Sequence, residues 1–435
     1  MPDLRINARW LISMANNKVT VEENRSVFVT NGRISSVEDK SSTRSAKQNI
    51  DLPKQVLMPG YVNAHGHAAM SLLRGYADDL PLMTWLNEHI WPVEGKWVGT
   101  DFVRDGVNLA IAEMLKGGTT CYADMYFYGE DAAIASVSAG VRNVSFTSVL
   151  DFPTNYASSA NDYITKAMAL VDTYQQEPLL IAGIGPHAPY TVSDGPFKEI
   201  TALAAEYDLP IQVHLHESAH EIQESLDKYG KRPTERLAEL GFLSERVSCV
   251  HMTQITAVDI KILQQTGASV VHCPESNLKL ASGFCPVHNF LEAGINIGLG
   301  TDGAASNNDL SLQGEMKTAA MLAKAVAQNA EALSASQALY MATMGGAKAL
   351  GLAQDIGSIE VGKWADLQAV DLSQIEQQPL FNPISQLVYT DSSRHTTHVW
   401  VAGKQLVDKG QLCYLDEDKI RYNANQWLRS IRDNS

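Results

Sequence analysis

The chain alternates between two hydrophobic textures. Residues 4–57 carry short runs in which apolar and polar positions alternate between turn residues. Ser26-Val-Phe-Val-Thr, then Asn31-Gly32, then Arg33-Ile-Ser-Ser-Val predicts a strand, a tight turn and a return strand. The far end behaves alike, with Asp366-Leu-Gln-Ala-Val-Asp and His398-Val-Trp-Val-Ala-Gly-Lys-Gln-Leu-Val as short strands around glycine turns. Neither piece holds enough alternating residues for its own core, so segments 1–57 and 366–435 predict one small β-sandwich built from both chain ends. Between them, continuous apolar runs recur at 56–64, 119–124, 143–150, 179–185, 211–216, 247–251, 269–273 and 295–300. Continuous runs suit strands buried on both faces of a parallel sheet. Most are followed by helix formers, as in Thr100–Lys116 and 311–327, the latter with Asn308 and Asp309 as cap candidates. Eight strand–helix repeats predict an α/β fold, a (β/α)8 barrel over 58–365.

Composition narrows the class. Of 435 residues, 45% are apolar and 19% charged, ample for a large core and unlike a disordered chain or a disulfide scaffold. The net charge of −15, with no Lys/Arg-rich run, argues against nucleic acid or an anionic membrane as partner. No apolar stretch reaches bilayer length, and the opening residues lack the basic, apolar, small-residue order of a signal peptide. Cys121, Cys249, Cys273, Cys285 and Cys413 form no CxxC pair, the usage of a reducing cytoplasm. A cytoplasmic protein is expected, with Cys121, Cys249 and Cys273 as buried packing.

The histidines carry the chemical signal. Seven of the twelve (His65, His67, His187, His214, His216, His251 and His272) fall at or just past the ends of the apolar runs, as do Asp124, Asp151 and Asp302. In a barrel these strand ends meet at one mouth, where the active site is built. His65-Gly66-His67 places two imidazoles on one face of an extended segment. His214 from the fifth run and Asp302 from the eighth add a third nitrogen and a carboxylate. Three imidazoles and one carboxylate, with a position left for water, suit one divalent metal per chain: Zn²⁺ first, with Fe²⁺ or Mn²⁺ also accommodated. Glu217, three residues beyond His214, is placed to take and hand on a proton of the water such a metal acidifies, and His251 to donate toward the attacking oxygen. His216 and His272 read as supporting or structural.

With these residues assembled, the chain resembles the amidohydrolase superfamily, and within it the 5'-methylthioadenosine/S-adenosylhomocysteine deaminases and their chlorohydrolase-type relatives. The likeness spans nearly the whole chain. It rests on Met58-Pro-Gly-Tyr-Val-Asn-Ala-His-Gly-His, Gly185-Pro-His-Ala-Pro-Tyr-Thr-Val-Ser, Gln212-Val-His-Leu-His-Glu-Ser, His272-Cys-Pro-Glu-Ser-Asn-Leu-Lys-Leu and Gly300-Thr-Asp-Gly-Ala-Ala-Ser-Asn-Asn. The resemblance implies metal ligation by His65, His67, His214 and Asp302, with catalysis by Glu217, His251 and Asp302. It also implies substrate contacts: Trp85 stacking on the base, Glu94 on the ribose hydroxyls, His187 on the nucleoside, Glu217 on the ring, and Ser306 near the metal end. Arg142 matches the first of two arginines that family members direct at the amino-acid end of S-adenosylhomocysteine. No counterpart of the second is present in Leu150-Asp-Phe-Pro-Thr-Asn-Tyr-Ala-Ser-Ser, and Asp151 would repel a carboxylate if it faced the pocket.

The implied activity is hydrolytic deamination of adenosine-type nucleosides. 5'-Methylthioadenosine is favoured, with S-adenosylhomocysteine and adenosine weaker. The rival on the same fold is an aminohydrolase of another amino-heterocycle: a guanine-type base, cytosine or an s-triazine. A binuclear cyclic-amide hydrolase would need a bridging lysine that the middle strands lack, and a dead scaffold would have lost ligands that are all present. The expected partner is a small-molecule nucleoside, without nucleic acid or membrane, and the resemblance is compatible with homo-oligomers.

Overall fold

The computed structural model describes residues 1–433, and its strands form two eight-stranded sheets. The first takes four strands from each chain end: β1 (Leu4–Ser13), β2 (Thr20–Thr30), β3 (Arg33–Asp39) and β4 (Gln48–Pro59), then β13 (Leu367–Asp371), β14 (Thr396–Val401), β15 (Lys404–Asp408) and β16 (Gln411–Leu412), in the order β16-β15-β14-β13-β4-β1-β2-β3. It is one continuous hydrogen-bonded sheet. Inward residues of β1, β2, β4, β13 and β14, among them Ile6, Val27, Leu52, Leu367 and Trp400, share one core. The predicted turn is present, with Asn31 and Gly32 both at positive φ (51° and 75°), as a tight hairpin turn requires.

The second sheet is parallel throughout: β5 (Tyr61–Asn63), β6 (Thr119–Tyr126), β7 (Arg142–Val149), β8 (Leu180–Pro186), β9 (Ile211–Leu215), β10 (Val247–His251), β11 (Ser269–His272) and β12 (Ile297–Leu299), neighbours in sequence order with helices between. All eight are buried along their length but for two partly buried residues of β8, which is why they read as unbroken apolar runs. Backbone bonds from Ala64 N to Leu299 O (2.8 Å) and from Asp302 N to His65 O (3.2 Å) close β12 onto the first strand. A Cβ on Gly300 would stand 2.8 Å from the Cβ of His65, so glycine permits the approach that lays Asp302 beside the first-strand histidines. This is the predicted (β/α)8 barrel.

Three expectations need correction. The run 56–64 is two strands: Val56, Leu57 and Met58 belong to the terminal sheet, paired with β13, and the barrel strand starts at Tyr61. The helix Leu312–Ala327 is capped by Ser311, whose hydroxyl accepts from Gly314 N (3.1 Å), while Asn308 is left-handed (φ 80°) and ends a preceding turn. The last helix, Glu417–Arg432, lies against the barrel helix Thr100–Lys116, with Lys116 bonded to Glu417 (2.9 Å) and Trp427 Nε1 donating to Asp105 (2.9 Å). Residues 434 and 435 of the predicted sandwich segment lie outside the described residues. Among the described residues, no helix is long and apolar enough to cross a membrane.

The fourth correction concerns Arg142. It is the first residue of β7, so it lies at the barrel end opposite the mouth. There its guanidinium is buried against Asp366 (Nε–Oδ2, 2.8 Å) and donates to Pro178 O (2.7 Å). Asp366 in turn accepts from Ala402 N (2.7 Å), so the pair ties the terminal sheet to the barrel. It touches no part of the cavity at the mouth. Removing one partner strands a buried charge, so Arg142→Ala should lower unfolding free energy by about 3–5 kcal/mol in denaturant titration. Its ratio of kcat/KM between substrates with and without a charged 5'-tail should match that of the unmodified chain.

Candidate active site

The residues at the mouth inherit their positions from strand ends. His65 and His67 follow β5, His214 lies within β9, His251 ends β10 and Asp302 follows β12. Their donor atoms converge. His65 Nε2 lies 3.2 Å from His214 Nε2, Asp302 Oδ1 lies 3.5 Å from His65 Nε2 and 3.2 Å from His67 Nε2, and the groups His65–His214–His251 and His65–His67–Asp302 each gather within 4.8 Å.

The opposite nitrogen of each ring is already used. His65 Nδ1 meets Gln212 Oε1 (2.7 Å), His67 Nδ1 the Met125 carbonyl (2.6 Å), His214 Nδ1 the His187 carbonyl (2.8 Å), and His251 Nδ1 Asn277 Oδ1 (2.9 Å). Carbonyl oxygens only accept, so each Nδ1 carries a hydrogen and each ring, when neutral, turns an Nε2 lone pair inward. Two buried lone pairs 3.2 Å apart repel unless a cation lies between them. Burial holds His65 at about 4, and burial with the neighbouring rings holds His214 well below its ordinary value, so a proton is a poor substitute. His67 differs: against burial, Asp302 pushes it up to about 9, so without a cation the proton sits at this ring, and His67 with His65 holds Asp302 well below its ordinary value. Three neutral imidazoles and one carboxylate fit a divalent cation.

Asp302 divides its oxygens. Oδ1 faces the cluster, while Oδ2 accepts from Ser276 (2.6 Å) and Ser306 (3.0 Å). Ser306 therefore lies at the metal end, as implied. Glu217 is buried beyond β9, its Oε2 3.8 Å from His251 Nε2, and burial and Asp302 push its carboxyl up to about 8. It does not cap the next helix. Ser218 does, and Glu221 on that helix clamps the loop by accepting from the backbone nitrogens of His216 and Glu217, each at 2.8 Å.

A cavity of about 410 Å³ opens from this cluster. Trp85, Glu94, His187, Glu217, His251 and Ser306 all line it, so every implied substrate residue except Arg142 is there. Glu94 Oε1 accepts from Tyr126 (2.6 Å), and burial, opposed by that bond, leaves its carboxyl at about 6. Beyond Glu94, Asn155 Nδ2 bonds Gly95 O (2.8 Å) and Phe152 packs edge-on against Trp91, bridging the loop after β7 to the helix of Glu94. Asp151 turns away to accept from Ser193 N (2.8 Å), and the lining contains neither lysine nor arginine. His216, bonded to Gln254 O and Thr234 N, and His272 stand outside the cavity, and Cys121, Cys249 and Cys273 are buried with their thiols pushed up by burial.

Sequence reasoning missed Gln212, Ser276, Asn277, Tyr126 and Glu221. Two signals were available: Gln212 sits two positions before His214 on the same strand face, and Ser276-Asn277 lie inside the quoted His272 motif.

Groups that could hold a cation, set on strand ends with a carboxyl beside them, are the layout of a metal-dependent hydrolase. Residues 56–406 match the amidohydrolase family. A Saccharophagus degradans protein named 5-methylthioadenosine/S-adenosylhomocysteine deaminase is 51% identical over 433 residues, covering 99% of this chain and 97% of its own. A Methanopyrus kandleri protein named 5'-deoxyadenosine deaminase is 39% identical, covering 92% and 93%. A Xanthomonas campestris adenosine deaminase crystallised with bound zinc superposes with a TM-score of 0.98 at 47% identity, covering 99% of each chain. The chain belongs to the amidohydrolase family, and within it to the 5-methylthioadenosine/S-adenosylhomocysteine deaminases.

Gln212→Met removes the acceptor that fixes the His65 tautomer. Metal affinity, measured by chelator competition, should fall roughly 10- to 100-fold.

Proposed function

We propose that the chain is a hydrolytic deaminase of adenosine-type nucleosides, 5'-methylthioadenosine foremost, that uses one divalent cation, Zn²⁺ first. The observation that carries this reading is a single cavity lined by His67, His214 and Asp302, with His65 of the same cage buried behind them, and by the carboxyls of Glu217 and of Glu94, one tyrosine away from His67. Trp85 supplies an apolar face for a purine, and Glu94 acceptors for vicinal ribose hydroxyls. A cation in the cage supplies Lewis-acid activation of a water molecule.

The protein groups do the rest. Glu217 takes one proton from the attacking water and hands it to ring nitrogen N1, which makes C6 electrophilic as the water oxygen adds there. His251 does not donate as expected: with its hydrogen held on Nδ1 by Asn277, it turns the Nε2 lone pair to the attacking water and accepts from its O–H, which orients the oxygen toward C6. Asp302 carries the remaining water proton to the exocyclic amine. The C6–N bond breaks, ammonia leaves and an inosine-type product remains. Ser276 and Ser306 hold Asp302 Oδ2 throughout, which keeps Oδ1 aimed at the centre.

The absence of a cationic side chain from the lining supports uncharged 5'-substituents. A methylthio group needs only apolar walls, and Phe152 and Tyr156 provide them, whereas an amino-acid tail would enter with its carboxylate uncompensated. The relative named 5'-deoxyadenosine deaminase points the same way.

Ammonia release is the direct assay. Glu217→Gln should keep its metal and lose roughly 10²- to 10⁴-fold in kcat, and near-normal turnover would remove Glu217 from the mechanism. The unmodified enzyme should show higher kcat/KM on 5'-methylthioadenosine than on S-adenosylhomocysteine, and equal values would sink the preference.

A further inference from the structure

Glu94 does not sit on the barrel. It belongs to the excursion between β5 and the helix Thr100–Lys116, in the short helix Trp91–Trp97, and nothing in the barrel's ladder fixes its distance from the reacting centre. A nucleoside is rigid, so the spacing between the group that receives C6 and the group that receives the ribose must be set within fractions of an ångström.

The end of β6 supplies that spacing. Met125 and Tyr126 are consecutive residues of one buried strand. The carbonyl of Met125 accepts from His67 Nδ1 (2.6 Å) and so fixes a ligand of the cluster. The hydroxyl of Tyr126 donates to Glu94 Oε1 (2.6 Å) and so fixes the carboxylate. The Tyr126 ring lies between the two, its centroid 6.3 Å from that of His67. Burial and the Glu94 charge push the phenol well above its ordinary range, so it stays a donor. The bond occupies one carboxylate oxygen and leaves Oε2 for a ligand.

We propose that Tyr126 is a positioning residue that ties the ribose anchor to the strand carrying the His67 carbonyl contact, and thereby sets selectivity for ribosides over 2'-deoxyribosides. The assignment rests on the nucleoside reading above. Without the phenol, the Glu94 carboxylate loses its lateral restraint and its one rigid donor, and the ribose hydroxyls must orient it themselves.

A double-mutant cycle tests this, with ammonia release measured on adenosine and 2'-deoxyadenosine for the unmodified enzyme, Tyr126→Phe, Glu94→Ala and the double variant. Tyr126→Phe should raise KM for adenosine roughly tenfold, the loss falling on KM rather than kcat, and should shrink the preference for adenosine over 2'-deoxyadenosine by a similar factor. In the Glu94→Ala background the same substitution should change KM less than about twofold. A full, additive loss in that background, or an unaltered ribo preference in Tyr126→Phe, overturns the assignment. Tyr126→Met also lacks a donor and carries the same cycle if the phenylalanine variant does not fold. An unmodified, metal-loaded enzyme inert on both nucleosides overturns the nucleoside reading and this assignment with it, a pattern distinct from an active enzyme with additive losses.

Discussion

Four imidazoles that turn their lone pairs toward one point cannot be packed in a protein interior by dispersion alone. The acceptors on Nδ1 force this orientation, and burial opposes the charge that would relieve it at His65, His214 and His251, leaving His67, beside Asp302, as the ring that takes a proton. The resulting repulsion makes the cluster a demand for a cation rather than a tolerance of one. Much of the molecule is arranged around that demand. The parallel barrel brings distant residues to one mouth, Gly300 lets β12 approach the first strand closely enough for Asp302 to face His65 and His67, and Gln212, Asn277 and two backbone carbonyls keep every ring in the same tautomer.

The backbone bears part of the cost. His216, His251 and Asp302 are all left-handed, with φ of 55°, 76° and 61°, a region that side chains with a Cβ disfavour by about 1 kcal/mol or more each. Each is over-determined by neighbours. Glu221 holds the nitrogens at 216 and 217, and Asp302 accepts from the nitrogen of Gly303 (2.8 Å) with its own oxygen. Strain of this kind re-aims a side chain at the point where a strand would otherwise carry it past the mouth; elsewhere, as at Asn31 and Asn308, the same conformation serves turns and helix ends.

Much of this was legible in the sequence because strand ends are a one-dimensional signal. Runs of Val, Ile and Ala followed by His or Asp locate the mouth without coordinates, and motif spacing assigned His65, His67, His214 and Asp302 together. Boundaries were harder. Val56–Met58 and Tyr61–Asn63 read as one run, since Pro59-Gly60 looks like a turn within a strand and not a passage between two sheets. Arg142 misled for a related reason. Its place in a motif could be matched, but its end of the strand could not be weighed against the buried partner, Asp366, 224 positions away. Gln212 and Asn277 escaped because an amide that fixes a tautomer has no charge or periodicity to betray it.

Chemistry and recognition are thus built from different material. The proposed cage and proton carriers hang on strand ends and on loops clamped to them, so their geometry is a property of the barrel. Trp85, Glu94, Phe152 and Asn155 hang on an inserted helical excursion and on the loop after β7, joined to each other by Asn155 and Gly95 at the rim and to the barrel through Tyr126 within. An exposed amide–carbonyl bond contributes only about 1 kcal/mol, so the rim adds little to the position of Glu94. The buried phenol–carboxylate bond is of the stronger, charge-assisted kind and stays made. A weak outer joint and a strong inner one leave the inner bond to set the distance of the Glu94 carboxylate from the histidine cluster.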